Sequence, residues 1–201
     1  MTAQIQDAFL YNGARYALAG ISEGELFDVS SLGLRPVMAS TACWRGYQAV
    51  FGVDAGRLVL DELHVNLITR DEAKGTATRE EGPALRGVRP TPATERYDFF
   101  NNHYVGLKLP IAYTGGVLLA DGFIRSLYVH MGFHPAWKYE RVVELVFDGG
   151  LLTAEHDRAA KMAEIRERVA RSDRDPSTGE IPTRGEIEAF VERCFDRRYR
   201  R

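Results

Sequence analysis

The chain has 201 residues, of which 45% are hydrophobic and 27% are charged, and its formal net charge is −2. This composition is ordinary for a globular protein, and the length is sufficient to bury a sizeable apolar core. The slightly acidic balance argues against a general nucleic-acid binder, because such proteins normally carry a basic stripe.

Signals for targeting and membrane insertion are missing from the sequence. Residues 1–7 lack the basic and apolar regions of a signal peptide, and no apolar run reaches the roughly 18 residues that cross a membrane. The cysteines, Cys43 and Cys194, show no spacing typical of a disulfide framework or a zinc site. We therefore expect a cytoplasmic protein without a membrane or nucleic-acid partner, and the sequence indicates no metal and no cofactor.

Strand signals dominate much of the chain. Residues 8–69 contain short apolar runs separated by glycines, which is typical of β meanders. The segment 54–56, Asp-Ala-Gly, lies between two such runs and predicts a hairpin turn with its glycine at positive φ. Strand character resumes at about residue 97 and continues to residue 152.

Two other regions differ in character. Residues 70–96 are rich in charge, glycine, proline and threonine, so we expect a surface linker loop. In the tail, residues 153–201, apolar residues recur at helical spacing over 154–171, which predicts an amphipathic helix. Thr183 and Glu186 then fit a capping box at the start of a second helix. The arginines that end the chain are expected to be solvated.

A similar pattern occurs twice, opened once by Trp44 and once by Trp137. In each copy an aromatic-led run, a glycine turn and a second apolar run follow in order. This predicts two related units, with both tryptophans largely buried in equivalent positions. The predicted fold is a single α+β domain, a β-rich antiparallel sandwich or half-barrel built from internal halves 8–69 and 97–152 and covered by two C-terminal helices.

Two segments carry a family resemblance. Residues 40–47 read Ser-Thr-Ala-Cys-Trp-Arg-Gly-Tyr, and residues 128–132 read Tyr-Val-His-Met-Gly. In these segments and the strands beside them, the chain resembles a family of uncharacterised bacterial β-rich proteins. The resemblance does not extend to the helical tail. It implies a shared fold and no particular activity.

Cys43 is the candidate nucleophile within residues 40–47. A cysteine acts as a nucleophile only where a cation, a base or a helix N-terminus favours its thiolate. Arg45 would supply the cation or bind an anion, and His130 from the second half would supply the base. The alternative is a packed core thiol, because free cysteine is among the most commonly buried residue types.

Aromatic and basic side chains form the stronger constellation. They are the components of a recognition groove and equally those of an ordinary β core. If there is a site, we expect it where residues 40–47 meet residues 128–137. The candidate binding residues are Arg45, Trp44, Tyr47, Tyr128, His130, His134 and Trp137.

The sequence contains no strong catalytic or phosphate-binding motif. It therefore favours a non-catalytic recognition protein, such as an inhibitor, an immunity-type factor or an accessory subunit, which binds a protein partner through this groove. Two alternatives stay open. One is a small enzyme that depends on Cys43, His130 and Arg45, and the other is a small-molecule binder that uses the same groove.

Overall fold

The protein is described by a computed structural model that covers residues 2–71, 75–93, 98–172, 185, 188, 192 and 194–200. Its strands are β1 (Ala8–Tyr11), β2 (Ala14–Ile21), β3 (Tyr47–Asp54), β4 (Arg57–Val65), β5 (Ile68–Asp71), β6 (Thr76–Arg79), β7 (Asn102–Pro110), β8 (Gly115–Phe123), β9 (Tyr139–Asp148) and β10 (Leu151–Asp157). They are followed by the helix α1 (Ala159–Ser172), and short 3₁₀ turns occupy Val29–Leu32, Arg125–Leu127 and Ala136–Lys138. The predicted α+β class is confirmed.

The main sheet is mixed and closes on itself. Its strand order is β10-β9-β8-β2-β1-β3-β4-β7, while β5 and β6 pair separately. Closure arises because β10 also pairs with the beginning of β4, at Leu151 and Arg57. The sheet is not wholly antiparallel as predicted, since β1 and β3 run parallel. A parallel pair requires a long crossover connection, and residues 22–46 provide it.

A two-residue turn joins β3 to β4. Asp54 pairs with Arg57, so Ala55 and Gly56 form the turn, with φ angles of 47° and 76°. Both angles lie in the left-handed region, and turns of this kind match the right-handed twist of the flanking strands. The predicted hairpin with its glycine at positive φ is confirmed.

A single apolar cluster fills the inside of the closed sheet. Successive side chains of a strand point to opposite faces, so alternate residues such as Leu58 and Leu60 on β4 are 0% exposed. Aromatic rings add to this core. Phe9 on β1 packs against Phe51 on β3, with ring centroids 6.5 Å apart.

The helix α1 covers the outer face of the sheet. Met162 of α1 belongs to a smaller apolar cluster that includes Leu118 on β8. The helix predicted over 154–171 begins later, at Ala159, because β10 continues to Asp157. The Asp157 carboxylate then accepts a hydrogen bond from Ala159 N at 2.8 Å, which caps the first turn. No helix in the described part of the chain is long and apolar enough to cross a membrane.

The structure does not support the predicted internal duplication. In the first half β1 lies between β2 and β3, whereas in the second half β7 pairs with β4 and β8 lies beside β9. Trp44 is 44% exposed, so the expectation that both tryptophans are largely buried is wrong for Trp44. Most of the predicted second helix, including Thr183 and Glu186, falls outside the described residues. Residues 185, 188, 192, 194 and 195 are helical.

Residues 70–96, expected to form a linker loop, contain regular structure. β5 and β6 form a two-stranded antiparallel sheet. Leu85 is 8% exposed and belongs to the main apolar cluster. Tyr104 on β7 donates its hydroxyl hydrogen to the Pro83 carbonyl oxygen at 2.8 Å. The apolar contact of Leu85 and this hydrogen bond therefore help to hold a polar segment against the sheet.

Removal of an inward ring should destabilise the fold far more than removal of an outward side chain. Phe51→Ala, at a position that is 1% exposed, is expected to lower the free energy of unfolding by about 3–5 kcal/mol, because it leaves a cavity in a packed core. Val105→Ala, at 58% exposure, should lower it by less than about 1 kcal/mol. Urea denaturation followed by circular dichroism measures both, and equal losses would contradict this placement of Phe51.

Candidate functional site

Residues 2–7 join the two segments that the sequence singled out. On one side, Ile5 N donates to the Ala42 carbonyl oxygen at 2.8 Å. On the other side, Gln4 N donates to the Gly132 carbonyl oxygen at 2.7 Å. The two candidate segments therefore lie on either side of one extended stretch of backbone.

The Asp7 carboxylate is the electrostatic centre of this region, and the residue is 3% exposed. Arg45 binds both of its oxygens, with NH1–Oδ2 and NH2–Oδ1 distances of 2.7 Å. Arg197, which belongs to the C-terminal segment 194–200, donates to Oδ2 at 2.9 Å, and Ala49 N donates to Oδ1 at 2.8 Å. Bidentate pairs between arginine and carboxylate are among the stronger charge-assisted hydrogen bonds. The buried carboxylate is thus partnered on both oxygens.

Burial and the neighbouring charges shift the pKa values of this cluster in opposite directions. Burial raises the pKa of the Asp7 carboxyl, but the guanidiniums of Arg45 and Arg197 lower it by more, so its pKa lies below the ordinary value. Burial lowers the pKa of the Arg45 guanidinium, but the charge of Asp7 raises it by more, so this pKa lies above the ordinary value. Asp7 is therefore ionised at neutral pH, and it compensates only one of the two guanidinium charges.

A small cavity of about 190 Å³ lies beside this cluster. We call it the arginine cavity, because Arg45 and Arg197 line it together with Tyr47 and Phe133. Arg45 lies 4.8 Å from the Tyr47 ring centroid, and Arg197 lies 4.8 Å from the Phe133 ring centroid. These are cation–π distances. Asp7 occupies the guanidinium fork of Arg45, which was expected to bind an anion of a ligand.

Trp44 lies at the rim of this region. Its ring stacks on Phe195 of the C-terminal segment, with centroids 5.3 Å apart and an interplanar angle of 18°. Phe195 in turn meets Phe133 edge-on at 6.3 Å. The row of rings fastens the C-terminal segment, while almost half of the Trp44 surface stays exposed.

Cys43 has the environment of a core thiol. It is 1% exposed, and its Sγ donates to the Tyr47 carbonyl oxygen at 3.4 Å. Burial raises the pKa of the Cys43 thiol, and the charge of Arg45 offsets this effect only in part. Among the described residues, no hydrogen bond joins the thiol to a histidine. The geometry favours the packed-thiol interpretation over an accessible nucleophile.

The loop that carries His130 is exposed. The Tyr128 hydroxyl and His130 Nδ1 lie 2.9 Å apart, and Tyr128 is 52% exposed. Trp137 lies in the turn Ala136–Lys138, where Arg166 of α1 donates to its carbonyl oxygen at 2.9 Å. The candidate binding residues thus divide into a more buried set, namely Arg45, Tyr47, His134 and Trp137, and an exposed set, namely Trp44, Tyr128 and His130.

A second cavity, of about 320 Å³, adjoins the first and shares Phe133 and Arg197 with it. We call it the lysine cavity, because Lys138 lines it although this residue is only 6% exposed. Cys194 and Asp196 lie at its border. Its walls are mainly apolar: Val129, Met131, Phe133, Pro135, Trp137 and Val169.

Lys138 and His134 in the lysine cavity make fewer polar contacts than buried polar side chains normally make. The structure shows no hydrogen bond or ion pair for the Lys138 ammonium among the residues it describes, and Nζ lies 5.4 Å from the Trp137 ring centroid. In the same part of the chain, His134 Nδ1 is buried without a hydrogen-bond partner. A ligand with a polar group would be stabilised at this place.

Burial changes the protonation of both groups. It lowers the pKa of Lys138, and the nearby Cys194 acts in the opposite direction. Burial and, secondly, the charge of Lys138 lower the pKa of His134 to about 4, so this imidazole is neutral at pH 7. The cavity therefore holds a neutral imidazole and an amine that loses its proton more readily than an ordinary lysine.

A third cavity, of about 500 Å³, lies between α1 and the C-terminal segment, and we call it the helix cavity. The Glu144 carboxylate at its edge is 1% exposed. It accepts hydrogen bonds from Arg158 Nε at 2.8 Å and from the Tyr199 hydroxyl at 2.6 Å. Arg197 lines all three cavities. The three cavities lie along the C-terminal segment, and we call them together the groove. Two buried carboxylates, Asp7 and Glu144, hold this segment.

Other histidines lie apart from the groove. His64 on β4 and His103 on β7 face each other, with their Nδ1 atoms 2.9 Å apart, and neither lines one of the three cavities. Within the described ranges, no three His, Cys, Asp or Glu side chains form a group that could hold a metal ion. The buried charged residues Asp7, Lys138 and Glu144 lie instead along the three cavities.

Sequence reasoning missed three residues that shape the groove. Asp7 and Arg197 lie near opposite ends of the chain, and Arg197 was expected to be solvated. Lys138 was noted only as a neighbour of the aromatic residues. The sequence did contain one signal for Lys138, which stands directly between two aromatic residues, Trp137 and Tyr139. A lysine in such an apolar setting is unusual, because charged residues are seldom buried without a partner.

Comparison of the chain with models of protein families, with curated proteins and with solved structures found no match. The function therefore has to be argued from the site itself. The resemblance to the bacterial β-rich family stays a prediction.

Removal of the Asp7 charge should destabilise the fold strongly. Asp7→Asn leaves Arg45 and Arg197 partly buried without a counter-ion, so we expect the free energy of unfolding to fall by about 3–5 kcal/mol. Asp121→Asn is the matched control, because Asp121 pairs with Arg141 at the surface and should contribute much less. Urea denaturation at pH 7 measures both variants. A loss for Asp7→Asn no larger than that of the control would refute the central role of this cluster.

His134 should make the fold sensitive to acid. Because its folded-state pKa is lowered from 6.5 to about 4, the unfolded chain binds a proton between these values that the native protein does not bind. The free energy of unfolding should be maintained above pH 6.5 and should fall toward pH 4, by at most about 3 kcal/mol. His134→Gln should flatten this part of a pH series of thermal unfolding curves, whereas His130→Gln should not. An unchanged slope in His134→Gln would contradict the assignment.

Proposed function

We propose that the protein binds a small molecule in the lysine cavity, and that this ligand has an apolar body and one polar group that accepts hydrogen bonds. The observation that supports this most strongly is the polar lining of an otherwise apolar cavity: Lys138, a residue 6% exposed, has no ion pair among the described residues, and His134 Nδ1 is buried without a hydrogen-bond partner there. A buried polar group without a partner costs about 1–3 kcal/mol. An acceptor on the ligand would remove that cost.

The size of the lysine cavity supports a compact ligand. Its volume of about 320 Å³ is at the lower end of the range for small-molecule pockets. A medium-chain acyl compound or a substituted aromatic ring is of suitable size, and the apolar walls favour either one over a sugar or a nucleotide.

The charges around the cavity favour a ligand with a hydrogen-bond acceptor over a ligand with a positive charge. Lys138 and Arg197 both line it. The carboxylate at the border, Asp196, is already paired with Arg198, with Nε–Oδ1 and NH2–Oδ2 distances of 2.9 Å. A carbonyl or carboxylate oxygen is therefore the polar group that this site suits best.

Recognition of a protein partner is the second candidate function. Trp44, Tyr128 and Val129 are 44%, 52% and 43% exposed, and they lie in the two segments that flank residues 2–7. Exposed aromatic residues are common anchors of protein interfaces. This rim is where an inhibitor, an immunity-type factor or an accessory subunit would contact its partner. The buried thiol of Cys43 gives no support to the enzyme alternative that depends on it.

A set of compounds with one alkyl chain and different head groups tests ligand binding: octanoate, octanal, octanol and octylamine. We expect the compounds that bear an acceptor to raise the melting temperature of the wild-type protein by about 5–10 °C at about 100 times their Kd. Octylamine should have no effect, because its ammonium would lie beside Lys138. Thermal-shift assays provide the ranking, and calorimetry provides the Kd.

Two lysine variants provide the comparison. Lys138→Met should abolish the shift, whereas Lys108→Met, at a surface lysine with a side chain 60% exposed, should retain it. The absence of any shift in the wild type, or an equal shift in Lys138→Met, would overturn the proposal.

A further inference from the structure

We propose that Lys138 binds its ligand covalently, through an imine formed between its Nζ and the carbonyl carbon of an aldehyde or ketone held in the lysine cavity. This inference rests on the proposed function, because the carbonyl compound must first enter that cavity. It narrows the ligand class from acceptors in general to carbonyl compounds. It also adds a chemical step at one named atom.

Lys138 differs from the other lysines whose side chains the structure describes. Lys108 pairs with Asp54 and Lys161 pairs with Glu164, and the lysine side chains of both pairs are at least 60% exposed. Lys138 is 6% exposed and forms no ion pair with a described carboxylate. Burial in an apolar pocket without a counter-ion disfavours the ammonium form and is the usual condition for a nucleophilic lysine.

The backbone of Lys138 is held firmly. Its N donates to the Pro135 carbonyl oxygen at 3.0 Å, and its carbonyl oxygen accepts from Ile124 N at 2.9 Å. Arg166 of α1 donates to the carbonyl oxygens of the residues on both sides, Trp137 at 2.9 Å and Tyr139 at 2.8 Å. A fixed backbone limits the positions that Nζ can reach, which favours attack on a ligand bound in the cavity.

The step is a condensation in which nothing is oxidised or reduced. The lone pair of the neutral amine attacks the carbonyl carbon, and a C–N bond forms as the π bond to oxygen breaks. A proton moves from nitrogen to oxygen and gives a carbinolamine. The hydroxyl group then takes up a second proton and leaves as water while the C=N bond forms, and the nitrogen gives up its remaining proton. One amine and one aldehyde thus yield one imine and one water, without a cofactor.

His134 is placed to transfer the proton in this step. Its imidazole lines the same cavity, and Nδ1 is buried without a described partner. Burial and, after it, the charge of Lys138 lower the pKa of His134 to about 4, so the ring is neutral at pH 7. A neutral imidazole accepts the proton from the attacking amine and returns it to the departing hydroxyl group. The Trp137 ring face near Nζ would stabilise a protonated imine.

Reductive trapping of the full chain with octanal at pH 7 tests the proposal. Sodium cyanoborohydride converts an imine into a stable secondary amine, and intact-mass measurement with peptide mapping locates the octyl group. We expect one adduct at Lys138, formed at least about tenfold faster than at Lys108, because the cavity holds amine and aldehyde together.

Four variants accompany the wild type. Lys138→Arg keeps the positive charge but removes the nucleophile, so the fast adduct should disappear. If circular dichroism shows that Lys138→Arg is unfolded, Lys138→Gln is used in its place. Lys108→Arg is the matched control and should leave labelling at Lys138 unchanged. His134→Gln should slow the trapping by about tenfold or more, and an unchanged rate would remove His134 from the step.

Octanol separates the failure of this inference from the failure of the proposed function, because an alcohol cannot form an imine. If octanol stabilises the wild type but not Lys138→Gln, and octanal labels the lysines without preference for Lys138, then the cavity binds ligands and the imine proposal is wrong. If neither compound stabilises the protein and no preferred adduct forms, both proposals are wrong.

Discussion

The buried carboxylate of Asp7 is the interaction on which the arrangement of the groove depends. It joins three parts of the chain that are distant in sequence: the N-terminal segment, the loop before β3 that carries Arg45, and the C-terminal segment that carries Arg197. A carboxylate removed from water costs several kcal/mol unless it is paired and hydrogen-bonded. The fold therefore requires both arginines to reach Asp7, and this requirement fixes the course of the C-terminal segment across the outside of the sheet.

Glu144 fixes the far end of the same segment. Its carboxylate is buried on β9 and holds Arg158, just before α1, together with Tyr199 near the end of the chain. The C-terminal segment is thus anchored at two points by polar contacts and between them by aromatic rings such as Phe195. The three cavities lie along this segment, and Arg197 lines each of them.

The ion pairs of the buried carboxylates explain why Lys138 has no ion-pair partner among the described residues. Each buried carboxylate of the groove already has its cations, since Asp7 binds Arg45 and Arg197, and Glu144 binds Arg158. No described carboxylate is left for Lys138, although its neighbours hold its backbone in place. Natural proteins keep such local violations of the pairing rule mainly at functional sites, where the rest of the fold compensates for the cost. The contrast between paired arginines and an unpaired lysine is the main physical reason for placing function in the lysine cavity.

The sequence by itself determined the features that depend on near neighbours. Apolar runs and glycine turns indicated the strands, and helical spacing indicated α1, because these patterns reflect interactions over a few residues. The conspicuous residue types in 40–47 and 128–137 likewise pointed to the region of the groove. Only the tertiary structure decided the parallel pairing of β1 with β3, the closure of β10 onto β4 and the late start of α1, since each depends on contacts between distant strands. It also decided which charges are paired: Asp7 meets Arg197 across almost the whole chain, and Lys138 is left over, because pairing depends on which side chains meet in space.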